Sequence, residues 1–242
     1  MKNIKKVVLA FALSVLSSGV FAQYIKDPAV FDGNMTVDKV ISRIKNNELL
    51  PLRLNDYDSF QNSAEKERVI KVAGAQVTRY NDYTAHYNAA IVYATSGEFV
   101  GDVQIPLSAT NAANALRHAT KAIELQPKSV YMYLLRGEVY ARQGVGWDPH
   151  VSTYIISHDY AKKALADFEK VAELNPALAP YLSMAGIAQA LGQKAKADKY
   201  SELDEKFAQQ AKSAAQRQKE ENAKKIVKAI FGTNAERSAS AK

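Results

Sequence analysis

Between Tyr83 and Gly192 the chain alternates striped apolar segments with glycine or proline stops. The segments Ala115–Pro127 and Ala164–Pro176 align without gaps. Each carries small or apolar residues at i, i+4 and i+7: Ala115, Ala119 and Ala122 in one, Ala164, Phe168 and Val171 in the other. That spacing predicts two helices with one buried face, each stopped by a proline that cannot continue it. Each is preceded by another helical pattern, Ala85 to Ser96 before Gly97 and Val130 to Gln143 before Gly144. A third such segment, Tyr181 to Leu191, ends at Gly192. Gly97 and Gly144 suit a left-handed helix cap.

The flanks follow other patterns. Val37 to Lys45 predicts a short helix with Val37, Ile41 and Ile44 on one face. Leu49 to Leu54 is an apolar connector interrupted by Pro51, and Asn62 with Glu65 has capping-box spacing. The helix expected from Ser63 to Tyr80 carries Val69, Val72, Ala73, Gln76 and Val77 along one side, completing an N-terminal helical cap over 23–80. At the other end, Ala195 to Phe231 predicts one long helix or two joined helices. Its last part is amphipathic: Ala223, Ile226, Val227, Ile230 and Phe231 form a stripe, with Lys224, Lys225 and Lys228 outside it. Gly232 is expected to end the helix, and Thr233 to Lys242 to be a disordered polar tail.

These helical pairs resemble tetratricopeptide repeats. The family places a bulky residue, a small residue and a tyrosine on its first helix. Tyr133, Gly137 and Tyr140 match that order, and His86, Ala90 and Tyr93 stand at the same offsets. On the second helix the family has alanine, an aromatic, alanine and a closing proline. Ala164, Phe168, Val171 and Pro176 resemble this, as do Ala115, Ala119, Ala122 and Pro127. A third, degenerate repeat keeps Leu182 and Gly186 but has no closing proline, as befits a terminal unit. The resemblance implies an all-α fold: a right-handed solenoid of about three helical hairpins over 81–212, between the N-terminal cap and a long C-terminal helix. It also implies a partner-binding groove lined by Tyr87, Ile91, Thr95, Tyr131, Leu134, Glu138, Arg142, Ser183, Ile187 and Leu191. Family members that grip a terminal carboxylate have Lys and Asn where this chain has Tyr87 and Ile91, so that specificity is not expected here.

Both full repeats depart from the family in length, because each has surplus residues between its two helices. Residues 97–110 and 144–158 are expected to be long loops projecting from one edge. They carry Phe99, Trp147 and Tyr154, aromatic residues of the kind that anchor partners.

Composition narrows the function. Gly (11) and Pro (7) are too sparse for a turn-rich β architecture, and 47% hydrophobic residues is ordinary for a globular chain. Residues 1–22 read as a bacterial signal peptide. Lys2, Lys5 and Lys6 precede an apolar run from Val7 to Leu16, too short to span a bilayer, and Val20 and Ala22 fit signal peptidase, with cleavage before Gln23. Periplasmic residence is expected, with secretion as the alternative. Without cysteine there is no disulfide, thiol nucleophile or lipidated cysteine. The net charge of +7 loses three lysines with the leader, leaving +4, which is no nucleic-acid signature.

No phosphate loop, dinucleotide fingerprint, calcium loop or nucleophile elbow is present, so no catalytic residue, metal or cofactor is expected. His150 and His158 near Asp148 and Asp159 leave an enzyme as a remote alternative, while His86 and His118 fall at packing positions and read as structural. The expectation is a non-enzymatic scaffold, adaptor or chaperone for another exported or envelope protein. The C-terminal stripe leaves a second reading open, a structural protein held on membrane or cell wall, and docking onto the exposed end of the solenoid or self-association is a further use for it.

Overall fold

The computed structural model describes residues 35–51, 63–95, 99–100, 103–104, 107–148 and 153–239. The leader, the Asn62 cap, Gly97 and His150 lie outside the described residues. The body is all-α. In chain order it comprises α1 (Val37–Lys45), α2 (Ser63–Tyr80), α3 (Tyr83–Thr95), α4 (Ala109–Leu125), α5 (Val130–Gly144), α6 (His158–Leu174), α7 (Tyr181–Ala190) and α8 (Lys194–Ala239). Each helix from α1 to α6 packs on the next, α6 also packs on α7, and α3 touches α5. The two inserts are not structureless loops. β1 (Phe99–Val100) pairs antiparallel with β2 (Val103–Gln104), and β3 (Val145–Asp148) with β4 (Thr153–Ile156). The unit helix–hairpin–helix therefore occurs twice, as α3–β1–β2–α4 and as α5–β3–β4–α6. Backbone packing divides the chain after Ser201, the remainder of α8 forming a second unit.

Local chemistry sets the helix ends. Thr36 Oγ1 accepts from Lys39 N and caps α1, and Ser108 Oγ accepts from Asn111 N to cap α4. Asp82 caps α3 by accepting from Ala85 N at 2.8 Å, and its other oxygen accepts from Asn47 Nδ2 at 2.9 Å. At the far ends, Gly192 (φ 74), where the sequence predicted the segment to end, closes α7 in the left-handed conformation. Gly192 N donates to Gln189 O and Gln193 N to Ala188 O, satisfying two orphan carbonyls. Asn47 (φ 57) ends α1 by the same geometry, which a glycine search misses. Gln126 follows α4 just before Pro127, while Pro176 opens a short 3₁₀ turn, Pro176–Leu178, after α6.

Two expectations about glycine are corrected. Gly144 has no left-handed backbone; it is the buried last residue of α5, and β3 starts at once. A Cβ there would lie 3.0 Å from Tyr160 Cβ, so its smallness serves close approach instead. Gly232 does not end the last helix, which continues to Ala239. One glycine costs a helix only about 1 kcal/mol, and the residues beyond it include Ala235, Glu236 and Arg237, all good helix formers.

The core lies between consecutive helices. Gly137 on α5 admits the Phe168 ring of α6: an added Cβ would meet Phe168 Cε1 at 2.6 Å and Cδ1 at 2.7 Å. Phe168 is almost fully buried, as are Met132, Leu134, Val139 and Val171. Beside it Arg136 donates from Nε and Nη2 to both oxygens of Asp167, at 2.8 and 2.7 Å, and from Nη1 to Thr120 Oγ1 on α4. Burial lifts the Asp167 carboxyl above its ordinary range against the pull of these bonds, whereas the same bonds hold Arg136 more firmly protonated. The two effects oppose one another, and two short charge-assisted bonds on a guanidinium that never loses its proton identify an ionised pair at neutral pH.

Gly137→Ala is expected to destabilise the fold by about 1–3 kcal/mol through overpacking, and Phe168→Ala by about 3–5 kcal/mol through the cavity, both read from urea unfolding. Asp167→Asn, which strands Arg136, should cost about 3–5 kcal/mol, while Arg136→Met with Asp167→Leu should be close to neutral. Equal losses in the single and double variants would contradict that assignment.

Candidate binding surface

The face expected to hold a partner is largely core. Tyr87 is only 4% exposed, and Ile91, Leu134 and Ile187 are at or below 1%. Their apolar side chains are already covered, so as folded they offer no contact area. Burial also pushes the Tyr87 hydroxyl pKa upward. Ser183 is buried too, and Thr95 and Leu191 are half-buried. The polar members are nearer solvent: Tyr131, Glu138 and Arg142 are half-buried, and Arg142 Nη1 donates to Ala94 O at 3.2 Å, tying α5 to α3.

Part of this face is engaged by the chain's own N-terminal segment. Asn88, 1% exposed on α3, uses its whole amide on main chain: its Oδ1 accepts from Leu50 N and its Nδ2 donates to Glu48 O, both at 2.8 Å. Leu50 is buried as well. A buried asparagine that reads two backbone groups fixes the path of this segment through its main chain.

The hairpins place the predicted anchors on regular backbone. Phe99 opens β1 opposite Gln104, and Trp147 and Tyr154 are direct register partners in β3 and β4. Two-stranded ribbons this short are marginal alone and depend on the helices that flank them. Asp148 ends β3, while His158 and Asp159 are exposed in the first turn of α6. Among the described residues, no three His, Asp or Glu side chains are grouped so as to hold a metal ion.

The C-terminal residues Lys224, Lys225, Ile226, Val227, Lys228, Ile230 and Phe231 are all helical within α8, with Lys225 exposed. Among the described residues, no helix is long and apolar enough to cross a membrane.

Sequence reading did not find a cleft of about 710 Å³ bounded by α2, α3 and α4. Gly74, Val77 and Thr78 line one side, Arg117, Thr120, Lys121 and Glu124 another, with His86, Tyr93 and His118 between. The imidazoles of His86 and His118 meet Nδ1 to Nδ1 at 3.0 Å, and the Tyr93 ring stacks on His118 at 5.7 Å. The signal available was positional: His118 and Asp167 occupy the same place in the two aligned segments, and both are buried.

No protein-family model matches this chain, and no curated protein matches its sequence.

Replacing Asn88 by Ala leaves two main-chain groups of residues 48 and 50 without partners. The expected cost is about 1–3 kcal/mol of stability, with faster amide exchange at Leu50. Unchanged exchange at Leu50 would remove Asn88 as the clamp.

Proposed function

We propose that this chain is an exported, non-enzymatic protein-binding module of the tetratricopeptide type, a solenoid of about three helical pairs serving as adaptor or chaperone for another exported protein in the periplasm. The observation that carries the reading is the duplicated helix–hairpin–helix unit. Two segments with matching residue offsets each interpose a β-hairpin at the same point between first and second helix. Packing of each helix on the next, and the fit of Phe168 against Gly137, support the same reading. A stacked array is preorganised, so partner binding orders little new backbone. Because Tyr87, Ile91, Leu134 and Ile187 are core, the recognition area is assigned to the hairpins, with Phe99, Trp147 and Tyr154 as anchors and Arg142, in the last turn of α5, as their polar neighbour.

Photo-crosslinking residues placed singly at Trp147, Tyr154 and Phe99 in cells that express the full chain test this directly. Trp147 and Tyr154 should give a discrete adduct with one exported protein, and a probe at the exposed Glu173 should not. Absence of any adduct at all three sites, or the same adducts at Glu173, would overturn the reading. In the same cells the protein should be released with the periplasm and begin at Gln23; a retained Met1 would remove the export.

A further inference from the structure

We propose that His86 and His118 form an acid-sensitive latch: a directional hydrogen-bond chain that holds the first helical pair closed at neutral pH and releases the α2–α3 turn when either ring gains a proton.

The chain of bonds has one consistent set of hydrogens. Arg117 Nη2 can only donate, so His118 Nε2, 3.2 Å away, is the acceptor. The hydrogen of His118 is then on Nδ1, which donates to His86 Nδ1 at 3.0 Å. His86 must therefore carry its hydrogen on Nε2, and it donates to Asn81 Oδ1 at 2.8 Å. Both rings are neutral, in opposite tautomers, and every ring nitrogen has a partner. Neither can take up a proton without placing two donors face to face. On His86 the new hydrogen meets His118 Nδ1–H, and on His118 it meets Arg117.

The surroundings work in the same direction. Burial lowers the pKa of both rings, bringing His118 down to about 4. From α4, Arg117 and Lys121 disfavour a charged His86, while Asp82 in the α2–α3 turn and Glu124 on α4 favour it. His118 is disfavoured in its charged form by Arg117 and by His86 itself. The cleft wall on α2 brings Gly74, Val77 and Thr78, none of them ionisable, and α3 adds Tyr93. On the other side of α4, α5 brings Arg136 to Thr120, with its charge taken up by Asp167.

The sign follows from linkage. An open form, with ordinary histidines near pH 6.5, binds more protons than the closed form between that value and about 4. The closed form keeps its full advantage above that window and loses it as pH falls through it. What opens is set by where the chain of bonds ends. Asn81 is the left-handed link (φ 48) between α2 and α3, and the adjacent Asp82 caps α3 and holds Asn47. Protonation breaks the Nδ1–Nδ1 contact between α3 and α4, and as the His86 ring moves away it carries its Nε2–H from Asn81, which loosens that hub and the wall of the cleft.

The test uses the full chain, with nitrogen-15 histidine spectra and amide exchange corrected for intrinsic rates. At neutral pH the spectra should show His118 protonated on Nδ1 and His86 on Nε2, both titrating below ordinary histidines. Between about pH 7.5 and about pH 4.5, protection in residues 78–86 and 115–121 should fall about tenfold or more, since each unit of depression is a factor of ten in the closed-to-open ratio. Protection in α5 and α6 should hold. The double variant His86→Asn with His118→Asn keeps a donor and an acceptor near the Nδ1 positions and has nothing to titrate; it should lose the acid response, whereas His158→Asn should retain it. Uniform loss of protection along the chain, an acid response that survives in the double variant, or rings titrating near pH 6.5 would each overturn the latch. If the double variant fails to fold at neutral pH, the ring titrations and the exchange map of the native chain decide by themselves.

Discussion

The close approach of α5 to α6 governs this structure. Two helices can come together this tightly only where one has no side chain, and Gly137 supplies that gap opposite the Phe168 ring. Gly144 repeats the device one end further on, against the first turn of α6 at Tyr160. With the helices at that distance, Asp167 lies against Arg136, and Arg136 in turn reaches Thr120 on α4. The contact thus orders three helices and not two. The β3–β4 hairpin starts directly at the end of α5 and returns the chain to the first turn of α6.

The first pair solves the same packing problem differently. Ala119 stands where the second pair has Phe168, and Ala90 where it has Gly137. Small residues on both sides need no special gap. The polar position next to them is His118 in place of Asp167, and its partner is the imidazole of His86. One pair is therefore joined by permanent charges on a bidentate geometry, and the other by neutral rings whose bond depends on where each hydrogen resides. Equivalent positions in a repeat can carry chemistry of quite different sensitivity to pH while leaving the backbone alike.

These packing choices decide where binding area can be found. Packing within the helical body covers Tyr87, Ile91, Leu134 and Ile187, so the residues that would make a groove sticky make the body stable. Asn88 then fastens residues 48 and 50 across α3, closing more of the same region. The hairpins stand apart in sequence, each inserted between the two helices of a pair. Their placement between the helices of each pair is what the proposed assignment of recognition to the inserts rests on.

The sequence by itself determined the elements and the duplication. Periods near 3.6, paired with Pro127, Pro176 and Gly192, specify helices and stops through local backbone sterics, which need no tertiary partner. Tertiary structure decided everything that depends on which atoms meet. It turned the expected loops into hairpins, made Gly144 a contact residue and not a cap, carried α8 past Gly232, and placed Tyr87, Ile91, Leu134 and Ile187 of the expected groove in the core. It also brought His86 to His118 across 32 residues and gave Asn88 its backbone clients. The periodicity of a helix reveals which side is apolar. Whether that side faces solvent, a partner or its own chain is fixed by neighbours distant in sequence, and no local pattern encodes them.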